Sequence, residues 1–123
     1  MIHSAYNKET GIIESRLTGM VTVEEVFQYI NKLKDLDKYP KRMLILTDSI
    51  HGRFEFSEEE DRQMVRLVTK YITSFDLIKD AIIVDDPRTT AFSILFRRAA
   101  SSLPNYHFEV FSTREAALKW LLS

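Results

Sequence analysis

Hydrophobic and polar positions follow two periods along this chain, and the switches between them mark its elements. Ile2 to Tyr6 and Gly11 to Thr18 read as the arms of a hairpin, because Asn7, Lys8, Glu9 and Thr10 form a polar turn ahead of Gly11. In the second arm Ile13, Ser15 and Leu17 share a face, with Ile12 interrupting the alternation. The period then lengthens: Val23, Val26, Phe27, Ile30 and Leu33 recur at helical spacing. Thr22 and Glu25, three residues apart, form the capping box that starts this helix, each side chain serving the other's free amide. The helix is expected to end by Tyr39, since Pro40 disfavours helical geometry in the residue before it.

Met43, Leu44, Ile45 and Leu46 form a short apolar run between Lys41, Arg42 and Asp48, the pattern of a strand buried on both faces. A loop from Ser49 to Phe56 follows, then a second capping box of Ser57 and Glu60. The longest helix carries its buried stripe on Met64, Leu67, Val68, Tyr71 and Phe75. Ala81 to Val84 is the next buried strand, stopped by Asp85, Asp86 and Pro87. Pro87 suits the first position of a third helix, with a stripe of Ala91, Leu95 and Ala99 and with Phe92 and Phe96 beside it. Pro104 and Asn105 close that helix. The chain ends in YHFEVFSTREAALKWLLS, a strand running into a helix capped by Ser112 with Glu115.

The order is β-β-α-β-α-β-α-β-α. Parallel strands need helical crossovers while the opening hairpin is antiparallel, so the expected fold is α/β, a mixed five-stranded sheet with four helices over residues 1–123 as one domain.

Composition narrows the function classes. Seventeen Lys and Arg against eighteen Asp and Glu leave a net charge of -1, which provides no field to hold a polyanion, so nucleic acid is not expected as a partner. The absence of cysteine removes disulfides, thiolate metal sites and thiol nucleophiles. No basic stretch leads into an apolar run at the start of the sequence, and no apolar run approaches the length of a membrane span, so a cytoplasmic, non-spanning protein is expected.

In an open α/β sheet, ligands sit beyond the carboxyl ends of the parallel strands. The residues expected there are Asp48, Ser49 and His51, then Asp85 and Asp86, with Ser112 and Thr113 last. Carboxylates converging from neighbouring strands would suit Mg²⁺, but Asp85 and Asp86 also read as helix-start residues and Asp48 as a strand end. Asp48, Ser49 and His51 lie too close in sequence for a triad, where the base must reach the nucleophile while a third group orients it. The three histidines lack metal-ligand spacing. No catalytic set stands out, so a non-enzymatic module without cofactor is expected. Arg88, Arg97 and Arg98 flank the third helix and offer guanidinium groups to an anion or to solvent.

Five segments carry a family likeness: LTGMVTVEEV before the first helix, the LILTD strand, FSEEE at the start of the second helix, the IIVDD strand, and the closing VFSTREAALKWL. Together they resemble the SpoIIAA-like group of the STAS superfamily, which includes anti-sigma-factor antagonists. That resemblance implies a regulatory or protein-interaction module whose partner face comprises Asp48 to Phe56 and the start of the second helix. Partner-switching antagonists of this superfamily carry a phosphorylatable serine in an Asp-Ser-Ser/Thr-Gly motif at that helix start. Here Asp48 and Ser49 are followed by Ile50, His51 and Gly52, so Ser49 keeps the motif's identity and Ser57 its position; neither keeps both, which argues against a phospho-switch. Part of the group also resembles lipid-carrying SEC14 domains, which implies the alternative of a small-ligand binder for lipid, anion or nucleotide. A pocket lined by Phe54, Phe56, Phe92 and Phe96 would favour lipid, and one lined by Asp48, Arg88 and Ser112 an anion or nucleotide. A homodimer is a further expectation, because the edge strand of the opening hairpin has to be covered or blunted.

Overall fold

In the computed structural model, residues 1–34, 42–54, 56–72 and 75–123 are described. The elements are β1 (Ile2–Asn7), β2 (Ile12–Val21), α1 (Val23–Lys34), β3 (Arg42–Phe54), α2 (Glu58–Ile72), β4 (Leu77–Ile83), α3 (Pro87–Ala100), β5 (Tyr106–Phe111) and α4 (Arg114–Leu121). The expected end of the first helix near Tyr39 lies outside the described residues.

The sheet runs in the order β1-β2-β3-β4-β5, antiparallel between β1 and β2 and parallel across the other three pairs. Each parallel strand is laid beside the last, so right-handed crossovers place every connecting helix on the same face. The packing agrees. Val26, Ile30 and Leu33 of α1, Met64, Val68 and Tyr71 of α2, and Phe96 and Ala100 of α3 all join one core cluster with Ile13, Leu17, Ile45, Ile78 and Ile82 of the sheet. The opposite face is covered by α4, whose Ala117 and Leu121 pack on Ile12, Leu46, Ala81 and Ile83.

Local signals set the helix starts. Thr22 Oγ1 accepts from the Glu25 amide at 3.2 Å while the Glu25 carboxylate accepts from the Thr22 amide at 3.3 Å. Ser57 and Glu60 make the same exchange at 3.1 and 3.0 Å. The last helix departs from expectation: Thr113, not Ser112, is its cap, with Oγ1 accepting from the Ala116 amide at 3.2 Å. The stripe of α3 departs as well. Its buried residues are Thr89, Ser93, Phe96 and Ala100, while Ala91, Leu95 and Ala99 face outward. Thr89 and Ser93 are short, and Ser93 returns its hydroxyl to the Thr89 carbonyl at 2.7 Å, so that polar residues occupy the packed face.

The largest correction concerns Ser49 to Phe56. Ser49 to Phe54 belong to β3, not to a loop. Between the pairs Arg16↔Asp48 and Thr18↔His51, β2 advances two residues and β3 three. This extra residue is a β-bulge, and it inverts which side chains face the core. Met43 and Ile45 enter the large cluster with odd numbers; after the bulge Phe54 enters it with an even one. Asp48 braces the turn of the chain, its carboxylate accepting from the Ile50 amide at 3.0 Å.

Beyond the bulge the two strands run close together. A Cβ added at Gly52 would lie 2.5 Å from Leu17 Cβ and 2.9 Å from its carbonyl carbon, so part of the clash is with backbone that has nowhere to move. Gly52→Ala should therefore destabilise the protein by about 2 kcal/mol or more, the scale of overpacking in a rigid site. Urea unfolding measures it, and a midpoint unchanged from wild type would remove the close approach from the account.

Candidate functional site

Phe54, placed inward by the bulge, meets two other rings. Phe54, Phe56 and Phe92 form a triad with centroids 5.0 to 5.2 Å apart, spacing at which aromatic pairs attract beyond their buried area. Behind them, between the sheet and α1 to α3, lies a cavity of about 120 Å³. Its wall is mostly hydrocarbon and ring: Leu17, Ile30, Ile45, Val68, Ile82, Phe96 and Phe108 belong to it with the triad. In front of the triad is an open cleft bordered by Ser57, Glu58, Glu60 and Asp61 of α2 and by Arg88 and Leu95 of α3; Phe54, Phe56 and Phe92 line both spaces.

The polar groups in the cavity wall sit at defined places. Ser15 and Tyr29 share a hydrogen bond at 2.5 Å. Asp80 projects from the middle of β4 on the same face as Ile78 and Ile82, between Ile45 of β3 and Phe108 of β5 in register. Tyr106 donates its hydroxyl to Asp80 Oδ2 at 2.7 Å. Asp80 is half-buried and lines the cavity. Burial raises its pKa from 3.8 to about 6, the Tyr106 hydrogen bond opposing the rise. Tyr106 is driven well above its ordinary value by burial, then by the neighbouring carboxylate. In the cleft Asp61 is also raised to about 6, first by burial and then by Glu60 and Glu58.

The residues expected at the site divide into groups. Phe54, Phe56, Ser57 and Arg88 border the cleft, the two phenylalanines reaching the cavity as well. Ser57 is engaged as the α2 cap. Asp86 caps α3, accepting from the Thr89 amide at 2.9 Å, and this bond holds its pKa below the usual range. Asp85 and His51 are exposed, with His51 inside β3. Ser49 is 1% exposed and donates to the Ile83 carbonyl, which closes its hydroxyl to a modifying enzyme in this conformation. Asp48, Asp85 and Asp86 do not gather: among the described residues no group of three His, Asp or Glu is placed to hold a metal ion. The cluster Phe92, Leu95, Phe96 splits, Phe96 pointing into the core and Leu95 standing 53% exposed. Asp80, Tyr106, Tyr29 and Ser15, which are not among the residues expected at the site, line the cavity.

The raised pKa of Asp80 has a signed consequence. The folded chain keeps this proton up to about pH 6 while the unfolded chain releases it near 3.8, so stability from the neutral carboxyl is present below about pH 4 and lost as pH rises to about 6. The loss is on the order of 2–3 kcal/mol. Asp61 acts in the same direction, reduced by its exposure to solvent. Asp80→Asn cannot ionise, so between about pH 4.5 and 7.5 its stability should gain on wild type by roughly 2 kcal/mol. Urea titrations of both proteins at each pH read the difference directly; a constant gap would place the Asp80 titration at its ordinary value.

No family model matches the sequence, and no curated protein sequence does. Among solved structures, the crystal structure of an uncharacterized protein of the DUF3478 family from Shewanella loihica PV-4, described as having a SpoIIAA-like fold, superposes with a TM-score of 0.64. The match covers 98% of this chain and 92% of that one at 19% identity, a level at which the likeness speaks for the fold. No helix among the described residues is long and apolar enough to cross a membrane. The chain has a SpoIIAA-like fold, with the mixed sheet and four helices that its sequence pattern implied.

Proposed function

We propose that this domain is a non-enzymatic ligand-binding module that holds a small, mostly apolar molecule between its sheet and α1 to α3. The observation that carries this reading is the cavity itself. It offers about 120 Å³ of space behind an almost wholly apolar wall, and an apolar occupant that fills it withdraws that wall from water. Engineered apolar cavities of roughly 150 Å³ stay dry and take up benzene, which sets the size of occupant that fits here without rearrangement. The wall includes Phe54, Phe56, Phe92 and Phe96, the lining that favours an apolar ligand over a nucleotide. The site lies inside the sheet-helix layer and shares Phe54, Phe56 and Phe92 with the cleft between α2 and α3. Any regulatory role of the module follows from occupancy, which alters packing against α1, α2 and α3 together.

Toluene is a direct probe. Its binding to the folded state should raise the melting temperature in a concentration-dependent way. Val68, buried on α2 in the cavity wall, offers the control: Val68→Phe fills part of the void and should stay folded while losing most of the toluene-dependent rise. No rise in wild type, or the same rise in the filled variant, would overturn the assignment of the cavity.

A further inference from the structure

The cavity wall contains one carboxyl group and, among its described residues, no Lys, Arg or His to balance it. Tyr106 supplies a single hydrogen bond to Oδ2, and Oδ1 makes none among the described residues, although an ionised carboxylate has about four acceptor positions. An unbalanced carboxylate in a low-dielectric site is costly and attracts whatever positive charge can reach it. The same wall carries the rings of Phe96, Phe108 and Tyr29, Phe108 beside Asp80 in the sheet register, and an aromatic wall is itself a favourable surface for an ammonium group. The adjoining cleft is polarised in the same sense: Glu58, Glu60 and Asp61 border it, against Arg88 as the one cationic side chain among its described residues. An anionic ligand would meet repulsion from Asp80 in the cavity and from the carboxylates of the adjoining cleft.

Building on the ligand-binding reading, we infer that the natural occupant is a small hydrocarbon amine, held with its ammonium group against Asp80 and its apolar body among the rings. The ammonium donates to Oδ1 while Tyr106 keeps Oδ2, so the charge-assisted bond adds to the existing one instead of displacing it. Carboxylate ligands of the same size are excluded, and neutral alcohols bind through a weaker, uncharged bond.

The test is an isosteric series on the full chain at about pH 7.5: toluene, benzyl alcohol, benzylamine and benzoate, with affinities from NMR shift titrations. Wild type should prefer benzylamine to benzyl alcohol by about tenfold or more, the gain of one charge-assisted contact, and benzoate should not bind. In Asp80→Asn, checked for folding by its amide spectrum, the ratio of benzylamine to benzyl alcohol affinity should collapse to about one. If the variant does not fold, the wild-type ranking decides alone. Toluene bound with no preference for the amine would leave the cavity a ligand site and reduce Asp80 and Tyr106 to a structural pair, overturning this inference. No binding of any of the four, toluene included, would overturn the ligand-binding reading beneath it.

Discussion

Three helical crossovers that advance across the sheet in one direction decide the shape of this core. With the strands laid down in sequence order, each connecting helix returns over the same face. Thus α1, α2 and α3 crowd one side while the short α4 is left to cover the other. The two layers are filled differently as a result. Beneath α4 the packing is narrow, with Ala117 and Ala81 fully buried in contact with the sheet residues around them. Beneath α1 to α3 the space is wider, and it is filled by rings from several elements: Tyr29, Tyr71, Phe92, Phe96, Tyr106 and Phe108. The rings meet edge to face, as Phe96 and Phe108 do at 71° with centroids 4.9 Å apart, and the cavity lies among them.

The bulge in β3 connects this core to the outside. Without the additional residue, Phe54 would point away from the large cluster and the ring triad would lack its central member. The bulge depends in turn on Gly52, which lets β3 run against Leu17, and on Asp48, which holds the Ile50 amide. Residues first read as a polar ligand-binding loop thus work as backbone hardware whose effect is to aim a phenylalanine.

Much of this was legible because it rests on local chemistry. The capping boxes at Thr22 and Ser57 need only four residues each and formed as read. The strand order followed from the succession of elements. What escaped the reading depended on contacts across the sheet. Alternation identifies a strand only while it is unbroken, so the bulge hid the second half of β3. The run Ala81 to Val84 was recognised by its continuous apolarity, but β4 begins at Leu77. Extended back by those four residues, the same two-residue period places Asp80 on the face of Ile78, Ile82 and Val84. The α3 stripe was misplaced because Thr89 and Ser93 look like surface residues until their backbone bonds and the helix-sheet packing are seen.

The neighbours Lys79 and Asp80 show how the two faces of one strand treat charge. Lys79 faces the α4 layer, where its ammonium donates to the Trp120 carbonyl at 2.6 Å and lies 4.7 Å from the centre of the Trp120 ring. A cation at a helix C-terminus, above an aromatic ring, is satisfied by the helix dipole and by the ring together. Asp80 faces the other layer, with a tyrosine hydroxyl as its hydrogen-bond donor and a void beside it. A leucine at the same place would fill volume and remove a charge, and cores of this kind ordinarily choose it. A chain that completes the charge of Lys79 with its own groups and gives Asp80 a single hydrogen bond departs from ordinary packing at Asp80. Such departures concentrate where a protein's site demands something that stability alone does not. The incomplete charge faces the cavity, and there a ligand can supply what the chain withholds.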